Sequence, residues 1–203
     1  ISIQSIKSNI TPKTKAILVV HWGGYPCDMD EILDIANKNK LTVIEDAAHS
    51  LGSTYKNKPI GSISELTCFS FQAIKHLTTG DGGAIACKDK RIYNRAKTGR
   101  WFGINRDKAE PSILGERVFD IKNQGYKYHL NDYSAALGLV NLLGFEERLK
   151  RRKKIAALYE KELLKIDGIS LFNYKEDRES AYWLFGFHVQ KREKFILALK
   201  SKG

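Results

Sequence analysis

The feature that most narrows the folds open to this chain is a pair of short apolar runs, Ala16-Ile17-Leu18-Val19-Val20 and Leu41-Thr42-Val43-Ile44, with one helical stripe between them. A continuous apolar run of this length is the signature of a strand buried on both faces of a sheet. After the first run comes a loop holding Gly23, Gly24 and Pro26. Asp28 and Glu31 then have the spacing of a capping box, and Ile32, Leu33, Ile35 and Ala36 carry a helix to about Lys40. Strand, helix and strand in succession predict a parallel pair joined by a crossover helix, so the first half of the chain is α/β.

The same reading extends along the chain. Thr67 to Phe71 and Gly83 to Cys87 are expected strands, and about Lys90 to Thr98 a helix. Gly103 to Gln124 is polar and punctuated, which predicts a long irregular loop. One long helix is expected from Asp132 to Lys165, with apolar positions Leu142, Phe145, Leu149, Ile155, Leu158 and Tyr159 near helical spacing. Tyr182 to Val189 reads as a last strand, followed by a short helix. No internal repeat is visible.

Composition removes several function classes. The 203 residues, 42% of them hydrophobic, suffice for a sizeable core. No stretch approaches the roughly 20 apolar residues of a membrane span, and Ile1 to Lys15 is too polar for a signal peptide, so a cytoplasmic protein is expected. The three cysteines, Cys27, Cys68 and Cys87, lack metal-ligand spacing and read as reduced and structural, and no metal site is expected. The net charge of +11 points to an anionic partner. Its densest cluster, Arg148 to Lys154, falls inside a helical pattern and reads as a solvated face rather than a nucleic-acid contact. The chain starts at Ile1 and stops just beyond a helical pattern, which reads as an internal piece of a longer protein.

In open α/β sheets ligands collect beyond the carboxyl ends of the parallel strands. Three residues fall there: Asp46 after the second run, Ser70 in Cys68-Phe69-Ser70-Phe71, and Lys75 ahead of the turn Thr79-Gly80-Asp81-Gly82-Gly83. Each has an ordinary explanation as a helix cap, a solvated loop residue or a turn. Together, an acid and an amine delivered to one end of a sheet are what a pyridoxal phosphate site needs. The carboxylate keeps the pyridine nitrogen protonated, the lysine holds the aldehyde carbon as an imine, and a hydroxyl such as Ser70 meets the phosphate.

Three segments resemble one known family. They are Ile44-Glu45-Asp46-Ala47-Ala48-His49-Ser50-Leu51-Gly52; Phe69-Ser70-Phe71-Gln72-Ala73-Ile74-Lys75 with its glycine-rich turn; and Gly125-Tyr126-Lys127-Tyr128-His129-Leu130-Asn131-Asp132 leading into Ala135-Ala136-Leu137-Gly138. The chain resembles the DegT/DnrJ/EryC1/StrS sugar aminotransferases, related to the perosamine synthases. The resemblance implies the three-layer sandwich of the type I, aspartate aminotransferase-like fold, present here as an incomplete fragment. Residues 1–145 would belong to the large cofactor-binding domain, and 146–203 to a connecting helix and the start of a small C-terminal domain. It also implies transfer of an amino group, usually from glutamate, to a nucleotide-linked keto-deoxysugar in surface-polysaccharide or amino-sugar biosynthesis.

Carried over by position, Lys75 is the imine lysine and general acid/base, Asp46 the partner of the pyridine nitrogen and Ser70 a phosphate ligand. His49, often Gln in the family, lies against the cofactor ring near its phenolic oxygen. Lys127 stands where many relatives have an Asn that reaches the partner subunit's cofactor phosphate across a homodimer interface. The resemblance leaves roughly the first third of such an enzyme outside this sequence, so the piece alone is expected to be inactive. Two other readings stay open: a sugar dehydratase of the same family, in whose best-known members histidine replaces the lysine, for which His76 is the nearby candidate; and a non-catalytic regulatory relative.

Overall fold

A computed structural model describes residues 1–203. In chain order the elements are α1 (Ile3–Asn9), β1 (Ala16–Val20), α2 (Met29–Lys38), β2 (Thr42–Asp46), β3 (Thr54–Tyr55), β4 (Lys58–Pro59), β5 (Leu66–Ser70), β6 (Gly83–Cys87) and α3 (Lys90–Gly99). Then follow β7 (Glu110–Pro111), β8 (Arg117–Val118), α4 (Asp132–Leu143), α5 (Phe145–Leu163), β9 (Ile169–Leu171), β10 (Arg178–Glu179), β11 (Phe187–Val189) and α6 (Arg192–Lys200). No helix is long and apolar enough to cross a membrane.

The principal sheet has the order β1-β2-β5-β6. β1, β2 and β5 are parallel, and β6 returns antiparallel to β5 as the edge. The expected crossover through α2 is present. Its core lies on one face: Ile17, Val19 and Val43 pack under Met29, Ile32, Ile35 and Ala36 of α2, with Ile6 of α1 closing one end. At about 25 cal/mol per Å² of apolar surface, each fully buried side chain of this kind contributes roughly 1.5–3 kcal/mol.

Several expectations are corrected. β1 is not buried on both faces: Leu18 and Val20 are 58% and 41% exposed, while Ile17 and Val19 face the core. Asp28 makes no capping hydrogen bond; its carboxylate instead pairs with Lys175 (2.6 Å) and Arg178 (2.8 Å), charges supplied from far along the chain. The Gly103 to Gln124 loop carries the small β7–β8 hairpin.

The single long helix from Asp132 is two helices, broken at Gly144, which leaves helical geometry at φ −104° and ψ 10°. Glycine has little helical preference to resist the bend, and the bend turns Phe145 and Leu149 onto Ala181, Leu51 and Leu77. The other expected stripe residues, Leu142, Ile155, Leu158 and Tyr159, remain exposed. The expected strand from Tyr182 survives only as Phe187–Val189. Tyr182 adopts a left-handed backbone (φ 48°), and its neighbours Ala181 and Leu184 donate to the carbonyls of Gly24 and Gly23 rather than to a strand.

Candidate active site

β2 ends at Asp46, whose register partners are Val20 on β1 and Cys68 on β5. Strand alternation places Asp46 on the open face of the sheet and Glu45 on the core face. Beneath the site Glu45 is fully buried. It accepts from His21 Nε2 (2.8 Å), the Ser64 N–H (2.9 Å), Ser64 Oγ (2.5 Å) and Thr67 Oγ1 (3.0 Å). Burial opposes its ionisation, and the hydrogen bonds from His21 and Ser64 outweigh burial, holding the carboxyl below the usual range. His21 Nδ1 accepts the Cys27 N–H (3.1 Å), which leaves the ring proton on Nε2, facing Glu45.

The Asp46 Oδ1 accepts the Ala48 N–H (3.0 Å), which fixes the turn that follows; Oδ2 has no protein donor. That turn presents His49, whose Nδ1 accepts the Gly23 N–H (3.2 Å). The neutral ring therefore carries its proton on Nε2. Burial first, and the Lys75 charge second, lower the His49 pKa against the opposing pull of Asp46, so the imidazole is neutral at pH 7.

β5 ends at Ser70, whose Oγ accepts the Gln72 N–H (3.4 Å). The loop beyond it is closed by Phe71 N–H to Gly82 O (2.8 Å) and Thr79 N–H to Phe71 O (2.9 Å), with Lys75 at its head. Lys75 is half-buried and makes no ion pair; its Nζ lies 4.3 Å from the ring centroid of Trp183. The same indole stacks on His49, centroids 3.8 Å apart and planes 10° from parallel, and its Nε1–H donates to Ile74 O (3.2 Å). His49, Trp183 and Lys75 thus form one contiguous group at the carboxyl end of the sheet, with Asp46 ending β2 three residues before His49 and Ser70 ending the neighbouring strand. Lys127 is not part of it: it is exposed, bridged to Trp101.

Trp183 did not stand out in the sequence, since Ala181-Tyr182-Trp183-Leu184-Phe185 reads as any core strand. Its placement depends on a strap. Ala181 N–H donates to Ser53 Oγ (3.0 Å) and Gly24 O (3.2 Å), and Leu184 N–H to Gly23 O (3.1 Å). Arg178, buried against Tyr25 and Tyr55, bonds Asp28, Asp177 and the Pro26 carbonyl. Gly24 has φ +99°, and a Cβ there would meet His49 O and Tyr182 N at 3.0 Å and Trp183 N at 3.1 Å. Gly24→Ala is expected to cost about 1–3 kcal/mol in backbone strain and displacement of the strap, read as a lower urea midpoint. An unchanged midpoint would refute the close approach.

His76, next to Lys75, is buried and donates Nε2–H to Ala181 O (2.9 Å), so it serves the strap and does not stand in for the lysine. Burial, helped by the charges of Arg152, His49 and Lys75, pushes its pKa down to about 4 against the Ala181 hydrogen bond. An unfolded histidine binds its proton near 6.5. The stability tied to neutral His76 is therefore complete above about pH 6.5 and is lost as pH falls toward 4, amounting to about 3 kcal/mol at most. Urea midpoints of wild type and His76→Asn at pH 7, 5.5 and 4 should show a flatter acid limb in the variant; parallel limbs would contradict this.

Three parallel strands with an antiparallel edge, an acid ending one strand and a lysine just past the next, are set in the fold of the pyridoxal-phosphate-dependent sugar aminotransferases. The sugar aminotransferase CalS13 from Micromonospora echinospora has the same fold, with a TM-score of 0.91 at 35% identity over 98% of this chain and 55% of its own. The chain belongs to the DegT/DnrJ/EryC1/StrS aminotransferase family, which matches residues 1–203. It is 35% identical to the spore coat polysaccharide biosynthesis protein SpsC of Bacillus subtilis, over 97% of this chain and 52% of that protein. It is 32% identical to the GDP-perosamine synthase of Escherichia coli O157:H7, over 95% of this chain and 50% of that protein. The chain thus spans about half the length of these relatives.

Proposed function

We propose that the full-length protein is a pyridoxal 5'-phosphate-dependent aminotransferase that moves an amino group from an amino-acid donor, glutamate, to a nucleotide-linked keto-deoxysugar for surface-polysaccharide or amino-sugar biosynthesis. The observation that carries this reading is the convergence of Asp46, His49 and Lys75 at one end of the sheet, in a chain of this family.

The residues present fit the cofactor. Asp46 has one carboxylate oxygen without a protein donor, Lys75 has an amine free of any carboxylate, and the Ser70 hydroxyl lies at the next strand end. In this reading Asp46 holds the pyridine nitrogen's proton, His49 meets the ring and its phenolic oxygen, and Ser70 donates to the phosphate. When bound, the cofactor supplies an electron sink for the substrate carbon. Lys75 anchors the cofactor and carries protons to and from the reacting carbon, work for which its freedom from ion pairs suits it. Lys127 would serve the partner subunit's phosphate in a cytoplasmic homodimer, with residues 1–145 in the large domain and 146–203 beginning the small one. The net charge of +11 suits a diphosphate-bearing substrate.

Incubating the full-length protein with glutamate and a panel of nucleotide-linked ketosugars should yield an aminated sugar nucleotide by mass. A protein that neither takes up pyridoxal phosphate nor aminates any member of the panel would overturn the reading.

A further inference from the structure

We propose that Trp183 is a positioning residue that seats the Lys75 ammonium whenever that amine is free, sharing its indole with the stacked ring of His49. The inference rests on the assignment of Lys75 as the working amine, but concerns a residue outside the acid, lysine and hydroxyl set. Three contacts converge on one side chain: the Lys75 Nζ 4.3 Å from the ring centroid, the His49 ring at 3.8 Å, and the Nε1–H bonded to the carbonyl of Ile74, the residue before the lysine.

The geometry solves a problem that a mobile lysine poses. A long flexible side chain without an ion pair would wander into solvent, losing the orientation that makes proton transfer fast. A carboxylate partner would hold it, but would also hold its proton. An aromatic face attracts the ammonium without offering a base, and a partly desolvated contact of this kind is strong enough to bias a population severalfold. Because Nε1 is tied to Ile74 O, the indole moves with the backbone that carries Lys75. Because it stacks on His49, it also registers the lysine loop against the turn after Asp46. The strap through Ala181 and Arg178 brings this residue from 108 positions beyond Lys75 in sequence to its side.

The test uses the full-length protein freed of cofactor, so its outcome is independent of whether any sugar is aminated. Acetylation by limiting acetic anhydride is followed peptide by peptide, with the exposed Lys13 as reference. Lys75 should react about threefold faster, relative to Lys13, in Trp183→Leu than in wild type, and return to within about twofold of wild type in Trp183→Phe. Leucine supplies bulk without a π face, so a purely packing role would be met by it; equal Lys75 rates in the Leu variant and wild type would overturn the proposal.

A second measurement needs no change at position 183 and decides the matter if the Leu variant does not fold. In the full-length protein with every other tryptophan, Trp22 and Trp101 among them, replaced by Phe, so that Trp183 is the sole indole, Lys75→Met should alter the emission maximum or intensity. Its acid quenching should follow His49, with a midpoint below 6.5. Emission indifferent to both Lys75→Met and pH would overturn it.

Discussion

Alanine at position 75 is expected to abolish the near-visible absorbance that pyridoxal phosphate acquires on joining a protein lysine, and to lower amino transfer by at least about 10³-fold. The magnitude comes from adding the loss of a positioned acid/base, typically 10²–10⁴-fold, to the loss of covalent anchorage. Lys75 is the only lysine in the cluster formed with Asp46, His49 and Trp183, so no neighbouring amine stands ready to replace it. Lys75→Arg, which keeps the charge and the aromatic contact but not the nucleophilic amine, should fail equally. The measurement is the absorbance spectrum with a turnover assay on the full-length protein. Transfer within tenfold of wild type in either variant would remove Lys75 from the centre of the reading. His76 offers no substitute, because its ring is buried and committed to the Ala181 carbonyl.

The largest effect on stability is expected from Glu45→Ala. Removing this carboxylate strands the buried His21 Nε2–H, the Ser64 N–H and the Thr67 hydroxyl, while the Ser64 hydroxyl keeps the Leu66 carbonyl (3.0 Å) as acceptor. Breaking a buried charged network from one side costs about 3–5 kcal/mol, because the abandoned donors keep their desolvation penalty. Glu45→Gln should cost less, about 1–3 kcal/mol. Its amide oxygen can still serve Ser64 and Thr67, while its NH₂ opposes the proton on His21. Urea denaturation reports both as a midpoint shift at unchanged slope. A Glu45→Ala loss below about 1 kcal/mol would mean that the network relaxes or hydrates freely. Because Glu45 and Asp46 alternate across β2, loosening the first should also weaken cofactor binding at the second.

Much of this was legible in the chain itself. The apolar runs at Ala16 to Val20 and Leu41 to Ile44 marked β1 and β2, because a strand of a central sheet announces itself in consecutive residues, and the stripe of α2 marked the crossover between them. The acid and the lysine were found by the rule that ligands gather at strand ends, which needs only the order of elements. The capping box at Asp28 misled, since its spacing is correct while its carboxylate answers stronger charges from Lys175 and Arg178. The single helix from Asp132 misled because the apolar period runs through Gly144 undisturbed, and only packing of Phe145 and Leu149 decides that the chain bends there.

The sequence by itself determined the strand order of reading, the parallel pair, and Asp46, Ser70 and Lys75 as candidates, because each is encoded within a few neighbouring residues. Only the tertiary structure decided that Trp183 closes on Lys75 and His49, that Lys127 stands apart from them, and that one face of β1 is open. These outcomes depend on contacts between residues tens to more than a hundred positions apart. The local pattern around such a residue carries no mark of which distant partner folding will bring to it.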